Sequence, residues 1–191
     1  SDFYDYIVID EAHHSQADSY RKLFDHFQPQ LLVGLTATPE RMDGKDLRPD
    51  FGNRISAEIR LPQALQAGLL TPFQYLCISD DTDLSDDSLW SGQKYNIERL
   101  ADKLCAKTRA QLIVDALHKY LADEYTCRAL CFCVNKRHAD FMAEQLRLYG
   151  FNAQSLTSDT PTDERKQLAK DLREGTLHYL CVVDIFNEGV D

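Results

Sequence analysis

The sequence predicts an α/β protein with two parallel-sheet lobes joined by an acidic linker. Short apolar runs alternate with amphipathic helical patterns near the amino terminus, and the same alternation returns after residue 107. Between the two blocks, residues 73–96 hold five acidic side chains and one basic side chain, a composition typical of a solvated connector. We therefore assign a first domain to 1–79, a linker with a connecting helix to 80–107, and a second domain to 108–191.

The overall composition excludes several classes of protein. The chain has 191 residues and a formal net charge of −10, so it is long enough for a sizeable core but is not a generic nucleic-acid-coating protein. No uncharged apolar run approaches the roughly 20 residues of a membrane span, and the sequence shows no basic-then-apolar leader. The six cysteines include no C-x-x-C pair, so we expect buried free thiols in a cytoplasmic protein.

The first lobe is predicted to begin with a strand over Tyr6 to Ile9, whose β-branched run is typical of strands buried on both faces of a parallel sheet. Apolar residues then recur at helical spacing from Tyr20 to Phe27, and Leu31 to Leu35 forms the next strand. Strand, helix and strand make a βαβ unit. A short helix from Pro62 to Leu70 and a strand over Phe73 to Ile78 complete this lobe.

The second lobe is predicted to repeat the alternation of helices and strands. The predicted elements are a helix over 108–125, a strand over 129–134, a helix ending at Gly150, a strand over 153–156, a helix from Thr160 to Gly175, and a strand over 179–183. A β-α-β-α-β array of this kind again predicts a parallel sheet.

The candidate site lies where the first two strands end. Asp10 and Glu11 follow the first strand, and Thr36 and Thr38 follow the second. Because ligands bind at the carboxyl ends of strands in open α/β sheets, we expect these side chains at one edge. One carboxylate can hold a hydrated Mg²⁺ while its neighbour orients and deprotonates a water, as phosphate-bond hydrolysis requires. The plain alternative is a pair of solvated turns.

Two runs of residues carry a family resemblance. Asp10-Glu11-Ala12-His13 after an apolar strand resembles the second motif of the DEAD/DEAH-box class of superfamily-two helicases. The run from Gly34 to Gly44, with Thr-Ala-Thr followed by Arg and Asp-Gly, resembles the third motif. Its extended form is similar to helicases grouped with the motor subunits of type I and type III restriction enzymes.

This resemblance implies two RecA-like lobes, ATP and Mg²⁺ as cofactors, and a nucleic-acid track. It implies three catalytic residues: Asp10, which would hold Mg²⁺, Glu11, which would polarise water, and His13. It implies three motif-three residues that couple nucleotide state to domain closure: Thr36, Thr38 and Arg41. The restriction-like motif variants favour double-stranded DNA over RNA by analogy, with nuclease or methyltransferase domains or subunits as candidate partners.

The second lobe carries two further resemblances. The strand beginning at Leu130 resembles motif four, and the run from Val182 to Asp191 resembles motif five in its Asn-Glu-Gly-Val-Asp form. The resemblance implies nucleotide contacts from Gly189 and Asp191. It implies nucleic-acid contacts from four residues at strand ends: Asn135, Lys136, Thr157 and Asp184. Many superfamily-two members have Thr before the first Asp of motif five, where this chain has Val183.

A phosphate-cradling loop is missing from this sequence. Such a loop needs G-x-x-x-x-G-K-[ST], because backbone amides wrap the phosphates while the Lys reaches the terminal ones. The only Gly-Lys pair is Gly44-Lys45, with Pro39 at the first Gly position and Asp46 in place of Ser or Thr. The resemblance also implies a sixth motif that bears an arginine, and this sequence stops short of it at motif five. We therefore expect a fragment of a motor, with both lobes incomplete and with no useful ATPase by itself.

Two other functions fit parts of the sequence. A non-hydrolytic RecA-like binding or scaffold module would explain the missing loop, but not the intact acidic pair and Thr-Ala-Thr. A nuclease or another metal hydrolase would need further carboxylate or His ligands converging on Asp10, for which His14 and His26 are the nearest candidates in sequence.

Overall fold

The computed structural model describes residues 3–15, 18–38, 46–92 and 94–184. It divides into two compact units, Ser1–Gln74 and Tyr75–Asp191. The predicted α/β class with parallel sheets is confirmed, because the first unit contains a two-stranded parallel sheet and the second a three-stranded one. The finer division into two domains and a linker stays a prediction.

The first unit is built around a βαβ arrangement. Its strands and helices are β1 (Tyr6–Ile9), α1 (Asp18–His26), β2 (Leu31–Gly34) and α2 (Leu61–Gln66), with 3₁₀ turns at Ala12–His14 and Arg48–Phe51. β1 and β2 pair in parallel, from Tyr6 opposite Leu31 to Ile9 opposite Gly34. The predicted strands and the helix between them are therefore confirmed.

Only one face of this sheet is covered in the part of the chain that the structure describes. Ile9 is buried, and Gly34 beside it approaches the ring of Phe51 so closely that an added Cβ would lie 2.7 Å from it. Side chains on the opposite face are exposed, with Tyr6 69% and Val8 62% accessible. The expectation that the first strand is buried on both faces is therefore wrong here, because a parallel sheet needs a layer on each side to bury both.

The later part of the first unit departs from the sequence prediction. α2 ends at Gln66, earlier than predicted, and Gly68 follows with a φ of +67°, a left-handed conformation that suits glycine. Residues 73–78 form no strand, and Tyr75 is 82% exposed. The apolar composition of this run was misleading, because a strand also requires a neighbour to hydrogen-bond with.

The second unit begins with a small hairpin and continues as a layered α/β fold. Its elements are β3 (Trp90–Ser91), β4 (Lys94–Tyr95), α3 (Ile97–Leu104), α4 (Lys107–Tyr120), β5 (Ala129–Phe132), α5 (Lys136–Leu148), β6 (Ala153–Leu156), α6 (Thr162–Glu174) and β7 (Tyr179–Val182). The three main strands lie in the order β5-β7-β6, all parallel. The predicted helices and strands of this lobe are confirmed, whereas the hairpin was not predicted.

The core of the second unit lies on both faces of its sheet. Tyr179 and Cys181 of β7 pack with buried residues of α4 and α5 on one face, and Leu180 and Val182 pack with the side chains of α6 on the other. All six cysteines are free thiols, but only Cys181 is buried and Cys77 is exposed. Among the described residues, no helix is both long and apolar enough to cross a membrane.

Candidate functional site

The turn after β1 and the segment after β2 are bonded directly to each other. The amide of Leu35 donates to the carbonyl of Ile9, and the amide of Ala12 donates to the carbonyl of Leu35, each over 2.8 Å. These two bonds extend the parallel pairing beyond the ends of both strands. The acidic turn and the Thr-Ala-Thr segment are thus placed side by side, as the strand order predicts.

Glu11 adopts a backbone conformation that is unusual for its residue type. Its φ of 47° and ψ of 48° lie in the left-handed region, which costs a non-glycine residue about 1–2 kcal/mol. The amide of Glu11 donates to the Asp10 carboxylate over 2.9 Å, which helps to hold this turn. Strained residues of this kind cluster at functional sites, where the surrounding structure determines them.

His13 is the centre of the site's side-chain contacts. Its Nδ1 lies 3.1 Å from the Thr36 hydroxyl, 3.5 Å from the Thr38 hydroxyl and 3.3 Å from a carboxylate oxygen of Glu11. The amide of Thr38 also donates to the Thr36 hydroxyl over 3.1 Å. The structure therefore brings together Glu11, His13, Thr36 and Thr38, four residues singled out in the sequence, and links the acidic turn to the loop after β2.

The donor chemistry of this edge suits a magnesium ion. Asp10 is exposed and offers carboxylate oxygens, the ligands that Mg²⁺ prefers. Mg²⁺ commonly uses one or two protein carboxylates together with substrate phosphates and water, so a single Asp fits that mode. The described residues contain no group of three or more His, Cys, Asp or Glu arranged to hold a metal.

A large open hollow adjoins the acidic turn. It has a volume of about 1500 Å³, and Asp10 and Glu11 lie at its border. Its lining includes the consecutive run 31–37, which contains β2, and the consecutive run 54–62. Because consecutive residues of β2 line it, the hollow includes the edge of that strand. In the described residues, β2 pairs with β1 alone.

Three predicted site residues lie outside the described part of the chain. They are Arg41 of the third motif and Gly189 and Asp191 of the fifth. Their assignments stay predictions.

Two residues predicted to contact nucleic acid lie after the carboxyl end of β5, and both hydrogen-bond to other residues of the chain. Asn135 caps α5 by accepting the amide of His138 over 2.9 Å, and it donates to Glu98 over 3.1 Å. Lys136 pairs with Asp159 over 2.6 Å in an exposed position. An exposed pair of this kind contributes little to stability and can exchange for a phosphate partner.

The other two predicted contacts follow β6 and β7. Thr157 is only 7% exposed, and its hydroxyl accepts the amide of Asp159 over 3.3 Å. Asp184 is exposed and has a φ of 50°. The four residues do lie at strand ends, as predicted, but the buried hydroxyl of Thr157 also has a structural role in its turn.

One cluster in the first unit was not predicted from the sequence. Arg21 donates two hydrogen bonds to Asp50, over 2.7 and 2.5 Å, and Ser15 donates a third over 3.3 Å. The hydrogen-bonded carboxylate of Asp50 raises the pKa of Arg21 above its ordinary value. These residues are far apart in the chain, so no local pattern could have indicated the cluster.

Comparison with known families matches both units of the chain to helicase-related models. Residues 1–41 match the family described as type III restriction enzyme, res subunit. Residues 112–191 match the family described as helicase conserved C-terminal domain. The chain is thus similar at both ends to superfamily-two helicases of the group that includes the motor subunits of restriction enzymes.

Individual relatives agree with this assignment. A 51.5 kDa protein of a Lactococcus phage is 27% identical over 185 residues, covering 97% of this chain and 39% of the phage protein. A Saccharomyces cerevisiae protein, provisionally named ATP-dependent helicase IRC3, is 28% identical over 192 residues, covering 97% of this chain and 27% of the yeast protein. The chain therefore spans well under half the length of these curated relatives.

A solved structure of the Pyrococcus furiosus Hef helicase domain aligns with the whole chain and with 64% of that domain. The sequence identity is 12% and the TM-score is 0.43.

Proposed function

We propose that this chain is the middle of an ATP-driven helicase or translocase that moves along nucleic acid. The observation that carries the proposal is the contact of His13 with Thr36 and Thr38, beside the carboxylate of Glu11. This contact connects the Glu11 carboxylate, which is suited to activating a water molecule, to the segment after β2. That segment could then respond to ATP hydrolysis. The similarity to helicase families and to a helicase relative supports ATP as the fuel.

In the proposed reaction, Asp10 and Glu11 have different tasks. Asp10 would hold the Mg²⁺ that neutralises charge on the phosphates. Glu11 would orient the attacking water and take its proton, a role that requires a carboxylate close to the reacting phosphate. The left-handed backbone at Glu11 holds that side chain at a fixed turn position instead of at the end of a flexible loop.

The coupling step is assigned to His13 and the two threonine hydroxyls. A change in the hydrogen bonding of Glu11 during hydrolysis would alter its contact with His13, whose Nδ1 lies 3.3 Å away. The contacts of His13 with Thr36 and Thr38 would then change, and the segment that follows β2 would move with them. Arg41 is proposed as a further member of this coupling group.

The phosphate-binding loop and the arginine-bearing sixth motif would be supplied by other parts of a longer protein. In the part of the chain that the structure describes, β2 pairs only with β1, and this supports the proposal because its other edge, beside the hollow, can accept one more strand. We further propose DNA as the track, contacted by Asn135, Lys136, Thr157 and Asp184, and nuclease or methyltransferase domains or subunits as companions. Gly189 and Asp191 would contact the nucleotide.

Phosphate release tests the proposal. The purified 191-residue chain is expected to show no useful ATPase, because the missing phosphate loop and arginine each contribute heavily to phosphoryl transfer, with arginine fingers alone contributing about 10³–10⁵ in rate. A malachite-green assay would compare the chain with its Glu11→Gln variant. Turnover by the chain that Glu11→Gln abolishes would show that the site is complete without the missing parts.

The second candidate function is a non-hydrolytic binding or scaffold module. The absence of a G-x-x-x-x-G-K-[ST] sequence in this chain favours it. The gene sequence around this segment separates the two: a phosphate-loop motif encoded before Ser1 supports the motor, and its absence supports the scaffold.

A further inference from the structure

A buried carboxylate, Asp50, ties the turn that carries His13 to the rest of the first unit. The Asp50 side chain is only 8% exposed. Ser15 donates its hydroxyl hydrogen bond to it, and the Arg21 guanidinium donates two more. Paired bonds between a guanidinium and a carboxylate fix the orientation of both groups. Asp50 is therefore a rigid acceptor for Ser15.

The turn is held at both of its ends. It is the single 3₁₀ turn Ala12–His14, and Ser15 is the fully buried residue that ends it. At the start of the turn, the amide of Ala12 donates to the carbonyl of Leu35. A single turn has too few internal hydrogen bonds to maintain its own shape. The hydrogen bonds at Ala12 and at Ser15 therefore contribute to holding its geometry.

His13 lies between these two hydrogen bonds, two residues before Ser15. Movement at Ser15 would change the 3.1 Å separation between the imidazole and the Thr36 hydroxyl. We propose that Asp50 is a positioning residue, which acts through Ser15 to keep His13 in contact with Thr36. The importance of this contact for coupling rests on the proposed function, whereas its dependence on Asp50 does not.

The hydrogen bonds of the Asp50 carboxylate can be removed without removing the apolar packing around it. Asp50 belongs to the 3₁₀ turn Arg48–Phe51, and Phe51 packs against Gly34. Phe24 of α1 meets the Phe51 ring edge to face, with centroids 6.4 Å apart. These apolar contacts hold the 3₁₀ turn against β2 without the carboxylate. Removing the carboxylate should therefore release the His13 turn while the Phe51 contact remains.

The test uses the complete 191-residue chain without nucleotide. NMR would measure the nuclear Overhauser effect between the His13 ring and the Thr36 methyl group, together with amide exchange at Ser15. Asp50→Ala and Ser15→Ala are each expected to abolish the Overhauser effect and to speed Ser15 exchange about tenfold or more relative to β1, as expected when hydrogen bonds to a charged group are lost. The double variant should be no worse than either single variant.

Two further variants serve as controls. Asp50→Asn keeps an oxygen that can accept the Ser15 hydroxyl, so it should preserve the His13 contact. Leu47→Ala removes a buried side chain just before the same 3₁₀ turn, so it should speed exchange throughout the first unit without selective loss at His13. Should Asp50→Ala fail to fold, Ser15→Ala carries the test, because it breaks the same link and leaves Arg21 paired.

The inference is overturned if the Overhauser effect survives in folded Asp50→Ala or Ser15→Ala, or if Leu47→Ala removes it equally. A failure of this kind leaves the proposed ATPase function untouched, because no nucleotide takes part. Conversely, a longer protein that fails to hydrolyse ATP would refute the proposed function and leave the dependence of His13 on Asp50 standing.

Discussion

Replacing Gly34 with alanine should disturb the packing directly beneath the candidate site. A Cβ at this position would lie 2.7 Å from two ring carbons of Phe51 and 2.9 Å from the Cβ of Ala12. Carbon atoms in good contact are about 3.5–4.0 Å apart, so the ring or the turn must shift by roughly 1 Å. Overpacking of this kind costs about 1–3 kcal/mol, whereas removing a strand glycine returns about 0.5–1 kcal/mol.

The midpoints of these two ranges give a net loss of about 1 kcal/mol in the unfolding free energy of the first unit, which corresponds to roughly 5- to 10-fold faster amide exchange at strongly protected sites. Amide exchange in β1 and β2 is the suitable assay, because the only tryptophan, Trp90, belongs to the second unit. Phe51→Leu supplies the matched background, since it removes the ring that the new methyl group meets.

The cost of Gly34→Ala should fall by at least half in the Phe51→Leu background, because the closest contact is gone and contacting residues do not act additively. An unchanged exchange rate in Gly34→Ala, or an equal cost in both backgrounds, would refute this account of how β2 and the 3₁₀ turn pack.

Further predictions concern both units. Leu180→Ala should lower the stability of the second unit by about 2–5 kcal/mol in urea unfolding followed by Trp90 fluorescence, because Leu180 is fully buried. Tyr179→Phe should cost about 1–3 kcal/mol in the same assay, because the Tyr179 hydroxyl donates to the Glu124 carbonyl, which would be left with only the weak thiol donor of Cys127. Burial and Arg109 lower the pKa of His138 below its ordinary 6.5, so the unfolded chain takes up that proton first. Stability of the second unit should therefore be full above pH 6.5 and fall as the pH drops towards the lowered pKa, and His138→Gln should flatten this dependence in pH-resolved urea titrations.

Regular elements were predictable where local periodicity and the tertiary environment agree. The β-branched run Tyr6–Ile9 predicts a strand and the helical spacing of α1 predicts a helix, and both elements are present. The hairpin of β3 and β4 was missed because strands of two residues show no period. Residues 73–78 show the opposite error, because their apolar run looks like a strand but finds no strand partner among the described residues.

The candidate site divides in the same way. The closeness of Glu11, His13, Thr36 and Thr38 follows from parallel pairing, which places the ends of β1 and β2 at one edge. The left-handed backbone of Glu11 was not predicted, because glycine or asparagine is the usual residue there. The Asp50 cluster was missed because its partners lie 29 and 35 residues away in the chain.

The most direct test of the motor assignment is phosphate release by the longer protein that contains this segment, measured with DNA present. Wild-type protein should hydrolyse ATP, and Glu11→Gln should lower the rate by about 10²–10⁴, the range for removing a general base, with nucleotide binding retained. Asp10→Asn should also lower the rate by weakening Mg²⁺ binding. Turnover that is unchanged in Glu11→Gln would contradict the assignment of this carboxylate to ATP hydrolysis.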